Sequence, residues 1–433
     1  MAPTADPPGA WPITARDRRL ALWLALPALA IYGLLAWRLA GGEYLDYYNL
    51  AFDFDPSRAV TSLATTAPEF LGFKHPLFEL LRPLAWPLLG LGLDAKQASG
   101  LLIAGFGAAS VALCFLFFRA AGIERGFAVP LSGLFAASST QLFISVIVET
   151  YGVAAFSIVL TWLLAALRLA CPGCCPRLPY AAALLTIGTT VTNVMQSILA
   201  EGILAWREGG PVRAFRRCLR FGLIVGILTA LLCLIAWFDT LRAALQDPVQ
   251  AAKEIYWLRT KGERAGLATL LETFLGFGFV APRYSWVMLP GDIPMRDFRS
   301  WEFAGVGAVA APLWLAFLAS GAVGAACHPR YRWLALGLAL ALVGNFLLHL
   351  DFQFRGSLFL YAGHMHFLVL GLAAGLAPHL SARSVLGRVY AGFVLLLGLL
   401  IAANNLPILF SFTGDFQAVQ MPCVKPCFDL TPN

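Results

Sequence analysis

The residues best suited to chemistry form a short run after the first apolar segment of the chain. Asp53 and Asp55 alternate with phenylalanine in Phe-Asp-Phe-Asp-Pro-Ser-Arg, which ends at Arg58. Lys74 and His75 follow in Lys-His-Pro-Leu. Charged groups are costly to hold beside hydrocarbon, and a carboxylate in such a place can act as a general base on a hydroxyl. The run therefore predicts chemistry at a membrane surface.

Two other interpretations of the acidic run stay open. Carboxylates that alternate with aromatic residues are also typical of an interfacial belt that faces water. In addition, the spacing of Asp53 and Asp55 is typical of sites that hold Mg²⁺ or Mn²⁺ on a sugar nucleotide, because hard carboxylate oxygens suit these ions. Two residues do not establish a metal site. We therefore assign no metal ligand and leave a divalent cation open.

Two further places carry candidate polar groups. Glu149 stands between two apolar runs, where a lone carboxylate can catalyse but more often caps a helix or forms an ion pair. Later in the chain, Arg355, Tyr361 and His364 flank an expected outer turn. An arginine there can grip phosphate with two hydrogen bonds, whereas the histidines can equally satisfy hydrogen bonds between helices. His364 and His366 cannot share one helix face, which argues against a two-histidine metal site.

Composition indicates the class of protein. Of 433 residues, 59% are hydrophobic and only 13% are charged, whereas soluble proteins carry about 25% charge. The net charge of +7 comes from short basic clusters between apolar runs, which is typical of loops that orient a protein in a bilayer. We therefore expect an integral membrane protein that contacts membrane lipids and binds no nucleic acid.

Apolar runs long enough to cross a bilayer recur along the chain. They lie near 20–40, 99–118, 127–146, 150–170, 218–238, 303–326, 333–350, 358–378 and 388–410. Thr192 and Asn193 interrupt the stretch 179–206, so we expect two short helices that meet at an outer polar turn. The stretch 76–94 holds charged residues and three prolines, so we expect it to lie along the interface. The predicted fold class is all-α, a polytopic membrane protein of about 11 transmembrane helices.

Arginine clusters predict the orientation and the division of the chain. With a cytoplasmic N-terminus, the clusters at 16–19, 119–125, 168–177, 207–220, 330–332 and 383–388 all fall inside. We expect a cytoplasmic lead at 1–19, a core at 20–238 with an external loop at 41–98, a second external loop at 239–301, C-terminal helices at 302–411 and an external tail at 412–433. The composition, without organelle signals, favours a multi-pass protein of the bacterial inner membrane, with its C-terminus in the periplasm.

The order of these elements resembles that of the GT-C membrane glycosyltransferases, which include protein mannosyltransferases and aminoarabinose transferases. In that family an acidic residue follows the first helix, and a Lys/His-Pro-Pro-like stretch comes next. A second external acidic residue follows two spans with a short basic turn. Asp53 or Asp55, Lys74 with His75, and Glu149 occupy these places here. The family's outer polar turn, often with Thr-Lys, resembles Thr-Asn at 192–193, where the lysine is missing.

The resemblance implies transfer of a sugar from a polyprenyl-phosphate donor to a hydroxyl of a lipid, glycan or protein acceptor. The transfer would be inverting and extracytoplasmic, with Asp55 as base, Asp53 as the alternative base and Glu149 orienting the acceptor. The substrate-binding residues that we expect are Arg58, Lys74, His75, Asn193, Arg355, Tyr361 and His364. A secondary transporter or lipid flippase is the alternative, and it predicts ionisable residues at mid-membrane.

Overall fold

The computed structural model describes residues 12–47, 50–65, 75–236, 245–246, 266–289, 293–298, 301–351 and 357–418. Two predicted site residues, Lys74 and Arg355, lie outside these ranges. The α-helices are α1 (Ala15–Ala40), α2 (Pro56–Ala64), α3 (Trp86–Gly90), α4 (Ala95–Ala120), α5 (Arg125–Ala137), α6 (Ser139–Ile144), α7 (Thr150–Ala170), α8 (Leu178–Thr189), α9 (Val194–Ala236), α10 (Leu267–Leu271), α11 (Val306–Cys327), α12 (Tyr331–Asp351), α13 (His366–Ala373) and α14 (Val385–Ala418).

Short turns and one hairpin complete the described elements. The 3₁₀ turns are Tyr44–Asp46, Phe78–Leu84, Val191–Asn193, Phe359–His364 and Ala374–His379, and a π-helical turn at Glu272–Phe277 continues α10. Strands β1 (Ser285–Leu289) and β2 (Ile293–Asp297) pair antiparallel, with Val287 opposite Met295. This hairpin belongs to the predicted second external loop.

Seven helical stretches in the described residues are long and apolar enough to cross a membrane. They are Ala15–Ala40, Ala95–Ala120, Thr150–Ala170, Val191–Ala236, Val306–Cys327, Tyr331–Leu350 and Val385–Asp415. Shorter apolar helices occupy Leu178–Thr189, Leu267–Phe277 and His366–His379. The chain is thus an all-α polytopic membrane protein with a small hairpin.

Some of the expected spans are built from shorter pieces. The stretch 127–146 is divided at Ser138, where the backbone is extended and the hydroxyl donates to the carbonyl of Phe135. The stretch 358–378 is a short α13 between two 3₁₀ turns. As predicted, 179–206 contains two helices that meet at the turn Val191–Asn193. The expected number of about 11 is reached only when these pieces are counted beside the long helices.

A kink folds α9 back on itself. Gly210 has a φ of +78°, a conformation that glycine adopts without steric cost, and Pro211 then begins the second half of the helix. The second half returns along the first, and the thiol of Cys218 donates to the carbonyl of Ile198 at 3.4 Å. The kink thereby brings the arginines after Pro211 back towards the end of α7.

The predicted interfacial stretch 76–94 contains the turn Phe78–Leu84 and the five-residue α3. Neither piece is long enough to cross hydrocarbon. The N–H of Leu77 donates to the carbonyl of Gly188 at 2.8 Å. This bond fastens the first loop to the end of α8, beside the polar turn that precedes α9.

Candidate active site

The acidic run forms a tight turn with an uncommon backbone. Phe52 and Asp53 have φ angles of +53° and +58°, and each such non-glycine residue costs on the order of 1–3 kcal/mol. Two hydrogen bonds to β2 hold the turn. The N–H of Phe52 donates to the carbonyl of Arg296 at 2.8 Å, and the N–H of Arg296 donates to the carbonyl of Leu50 at 3.0 Å. The second loop therefore supports the conformation of the first.

The ring of Phe52 anchors the same turn in an aromatic cluster. Its centroid lies 5.2 Å from that of Phe143, 4.8 Å from those of Phe298 and Phe359, and 6.1 Å from that of Phe412. These partners come from separate parts of the chain, and the Phe52 side chain is fully buried. Burial of a phenylalanine contributes about 1.5–3 kcal/mol, which offsets part of the backbone strain and fixes the place of the carboxylates that follow.

Asp55 meets Glu149 at the N-terminal end of α7. The N–H of Asp55 donates to Oε1 of Glu149 across 3.4 Å. The other oxygen of Glu149 accepts a hydrogen bond from the N–H of Thr150, so Glu149 caps α7 as well as contacting the acidic turn. Burial, together with the charge of Asp55, raises the pKa of Glu149 to about 7. The site therefore holds a buried carboxyl group that is partly protonated near neutral pH, beside the carboxyl group of Asp55.

The side chains of Asp55 and Asp53 differ in their exposure to solvent. The Asp55 side chain is 29% exposed, and it forms a loose ion pair with Arg58 in which Nη1 and Oδ2 are 3.7 Å apart. Asp53 is only 5% exposed, and its N–H faces the sulfur of Met295 at 3.2 Å. Of these carboxylates, Asp55 is the one that a substrate can approach.

Aromatic rings line the side of the site that faces the helix bundle. Tyr151, in the first turn of α7, lies within electrostatic range of Asp53, Asp55 and Glu149. The ring of His364 stacks on it with centroids 5.0 Å apart. Tyr361 lies on the same wall, 6.2 Å from Tyr151 and 4.2 Å from the ring of His349.

His364 and His366 face different surroundings, as their spacing predicts. Nε2 of His366 donates to the side-chain oxygen of Gln141 at 3.0 Å, and its ring stacks on Phe135. His366 therefore satisfies contacts between helices. His364 is buried, and neither ring nitrogen has a hydrogen-bond partner among the described residues. The carbonyl of His364 accepts a hydrogen bond from the side-chain amide of Gln196 at 3.1 Å. This bond fixes the position of the 3₁₀ turn that ends at His364, and the ring lies on the side of the site.

Two more polar side chains, those of His75 and Asn193, lie at the polar turn between α8 and α9. Nδ1 of His75 donates to the carbonyl of Thr189 at 2.6 Å, and His75 lies within electrostatic range of His364. Asn193 is fully buried, and neither atom of its side-chain amide has a hydrogen-bond partner among the described residues. Buried amides are normally paired, so Asn193 is suited to meet a polar ligand.

Most predicted residues that the structure describes thus lie at one end of the bundle. Tyr44 and Asp297 belong to the same end but are not recognisable as such from the sequence. Burial and the charges of Glu149 and Asp55 raise the pKa of Tyr44 well above its usual value. Asp297, at the end of β2, accepts hydrogen bonds from the N–H of Phe298 and the hydroxyl of Ser357. Tyr44 lies between Glu43 and Asp46, shortly before the acidic run, whereas Asp297 has no local signal.

In the part of the chain that the structure describes, no group of three His, Cys, Asp or Glu side chains converges in a way that could hold a metal ion. Asp53 and Asp55 share a turn, but Asp53 is buried against the second loop. The described residues therefore supply no ready set of metal ligands.

No family model and no curated protein matches the chain. Among solved structures, the chain is similar to the arabinofuranosyltransferase AftD from mycobacteria, with 17% sequence identity and a TM-score of 0.43. The match covers 92% of this chain and 26% of that chain, so this chain spans about a quarter of its length. The chemistry of this chain therefore has to follow from its own residues.

Proposed function

We propose that this chain is an integral membrane glycosyltransferase of the GT-C type. It moves a sugar from a polyprenyl-phosphate donor to a hydroxyl of a lipid, glycan or protein acceptor at the extracytoplasmic face of the bacterial inner membrane. The observation that supports this best is the pairing of an accessible Asp55 with a buried Glu149 at the end of a membrane helix. This is an arrangement suited to general base catalysis on a lipid-borne substrate.

The proposed reaction is a single inverting displacement. The carboxylate of Asp55 takes the proton of the acceptor hydroxyl as that oxygen attacks the anomeric carbon. The bond between this carbon and the phosphate oxygen breaks, and polyprenyl phosphate leaves with the electron pair. With a pKa of about 7, Glu149 is partly protonated at neutral pH and can donate a hydrogen bond that orients the acceptor. Asp53 stays the alternative base.

Hydrogen-bond donors near the leaving phosphate would stabilise its developing charge. The bond from Nδ1 of His75 to the carbonyl of Thr189 holds the imidazole ring beside the polar turn at 191–193. Asn193 and His364 bring buried polar atoms without partners among the described residues. We assign the phosphate end to these three residues. We extend the substrate-binding set to Arg58 and Tyr361, and to Lys74 and Arg355 outside the described ranges.

The test is transfer of radiolabelled sugar from a panel of polyprenyl-phosphate sugars by purified protein in lipid. Asp55→Asn should lower the transfer rate at least about 100-fold, the scale of a general base. Asp46→Asn is the matched control, since Asp46 lies in the same loop but forms an ion pair with Lys96 at 2.8 Å. It should stay within about threefold of wild type, because a partly exposed ion pair contributes little.

Other outcomes of this assay would assign the base to another residue or change the proposed function. Activity that survives Asp55→Asn but not Asp53→Asn would move the base to Asp53, and loss in Asp46→Asn alone would move it to Asp46. No transfer by wild type, together with proton-coupled uptake, would overturn the proposal in favour of a transporter. EDTA that abolishes transfer, with recovery on Mg²⁺ or Mn²⁺, would add a divalent cation to the mechanism.

A further inference from the structure

A basic cavity lies at the other end of α7 from Glu149. It has a volume of about 440 Å³ and opens between the loop 171–177 and the second half of α9. Because α7 has 21 residues, the two ends are about 31 Å apart. The arginines that line the cavity are Arg168, Arg213, Arg216, Arg217 and Arg220.

Carboxylates neutralise only part of this charge. Glu201 is buried and binds Arg168, and its second oxygen accepts from Nε of Arg217 at 2.9 Å. Glu208 pairs with Arg213 at 3.0 Å and with Arg217 at 3.2 Å. Three of the five arginines therefore share two carboxylates.

The other two arginines of the cavity, Arg216 and Arg220, form no ion pair with any residue that the structure describes. They lie one helical turn apart, so both guanidinium groups can reach one ligand. Like charges held this close repel each other, and an anion between them removes that cost. The cavity thus has the charge and the donors for a ligand that carries phosphate, which arginine binds through two parallel hydrogen bonds.

The arginines at positions 119 and 125 do not have this character. Nε of Arg119 donates to the fully buried Asp17 at 2.9 Å, and Nε of Arg125 donates to the same carboxylate at 2.7 Å. Each of those arginines is bound to a carboxylate of the protein itself. A basic cluster is therefore not in itself an anion site, and the cavity differs in holding two arginines that form no ion pair with any described residue.

The surroundings of the cavity point to a lipid as the source of the phosphate. Phe215 and Leu219 lie on the same helix as Arg216 and Arg220, and both apolar side chains are exposed. Tyr180 and Phe221 form an aromatic lining with ring centroids 4.9 Å apart. Exposed apolar side chains beside arginines are typical of a helix at the boundary between hydrocarbon and headgroups.

We propose that this cavity binds the phosphate of an anionic lipid headgroup, with Arg216 and Arg220 as its main donors. The acyl chains of the lipid lie along Phe215 and Leu219. The site is separate from the acidic end of the bundle and does not depend on the reaction proposed there.

The test measures binding instead of sugar transfer. Purified wild-type protein in a neutral detergent is titrated with dioctanoyl phosphatidylglycerol, dioctanoyl phosphatidylcholine and inorganic phosphate, and the midpoint of thermal unfolding is followed. Phosphatidylglycerol should raise the midpoint saturably, and phosphatidylcholine should not. Arg216→Gln with Arg220→Gln should weaken the apparent affinity at least tenfold.

Two sets of variants control for folding and for general charge. Arg330→Gln with Arg332→Gln removes two arginines from another turn and should leave the affinity unchanged. Arg216→Lys with Arg220→Lys keeps the charge without the planar fork and should lose only part of the affinity.

Three results would overturn parts of the proposal. Equal binding by the Arg216 and Arg220 double glutamine variant, or equal effects of the two lipids, would overturn the site. Saturation by inorganic phosphate with the affinity of the lipid would keep the phosphate chemistry and overturn the lipid source.

Discussion

Two nearly buried glutamates mark the two ends of α7 and have opposite surroundings. Glu149 and Glu201 are 7% and 5% exposed. Glu201 binds two arginines, whereas Glu149 meets the backbone of Asp55 and Thr150 and forms no ion pair within the described residues. Equal burial therefore has different consequences. A paired carboxylate fixes helices in place, while an uncompensated one stays ready to exchange a proton.

Both ends also contain backbone in left-handed conformations. At the acidic end, Phe52 and Asp53 both adopt left-handed conformations, and they need a hairpin and an aromatic cluster to hold them. At the basic end, the left-handed residue of the α9 kink is Gly210, which bears no strain there. Cys175, in the loop beside the basic cavity, has a φ of +53°, so backbone strain occurs at both ends. The predictions below test the contrast between the two glutamates.

The largest effect on stability is expected at the basic end. Glu201→Gln leaves Arg168 and Arg217 without their shared carboxylate, and removing one partner of a buried ion pair costs about 3–5 kcal/mol. The free energy of unfolding should fall by that order, while the transfer rate per folded molecule stays within about twofold. Thermal unfolding and initial rates at matched folded concentration check this. A rate that falls together with stability would remove the distinction between the two ends.

The pH dependence of stability should belong to the acidic end. Because the folded pKa of Glu149 is about 7, above its usual value, the folded protein holds a proton that the unfolded chain loses. The stabilisation is full below about pH 4.5 and disappears as the pH rises to about 7, by about 3 kcal/mol at 1.36 kcal/mol per pH unit. The difference in unfolding free energy between wild type and Glu149→Gln should follow that curve. A difference that is constant between pH 4.5 and 8 would contradict the assignment.

The transfer rate should depend on Glu149 but not on Glu201. Glu149→Gln keeps one oxygen that can accept from the N–H of Asp55 or of Thr150 and presents an NH₂ group to the other. It can no longer exchange a proton. We expect the rate to fall about 100-fold, which corresponds to about 2.7 kcal/mol, with folding intact at neutral pH. Glu201→Gln serves as the matched control, since it is the same change in a similarly buried glutamate. Equal rates in the two variants would place Glu149 among the structural caps.

Local sequence predicts the helices and turns of the acidic end, but it does not predict which distant residues pack together there. The pattern of apolar runs predicts the long helices, and Thr-Asn at 192–193 predicts the break before α9. The role of Phe52 requires four aromatic partners from distant parts of the chain, and no local rule brings Arg296 to the same turn. The division at Ser138 coincides with the polar stretch Ser-Ser-Thr-Gln at 138–141, which the prediction of one span over 127–146 did not use. At the basic end, charge counting predicts the cluster but not which arginines Glu201 neutralises.

The smallest expected effect tests whether the ring of Phe52, the aromatic anchor, positions the acidic turn. Phe52→Leu keeps an apolar side chain but loses the ring contacts to Phe143 and Phe298, and aromatic pairs contribute about 0.5–1.5 kcal/mol beyond burial. The free energy of unfolding should fall by about 1 kcal/mol, and the transfer rate should fall about tenfold because Asp55 is no longer held against Glu149. Phe277→Leu, a buried ring that packs on Trp301 at 5.4 Å instead, should cost similar stability without the loss of rate. If both variants lost rate equally, the anchor would contribute only packing, and the strain at Phe52 and Asp53 would have no part in positioning the base.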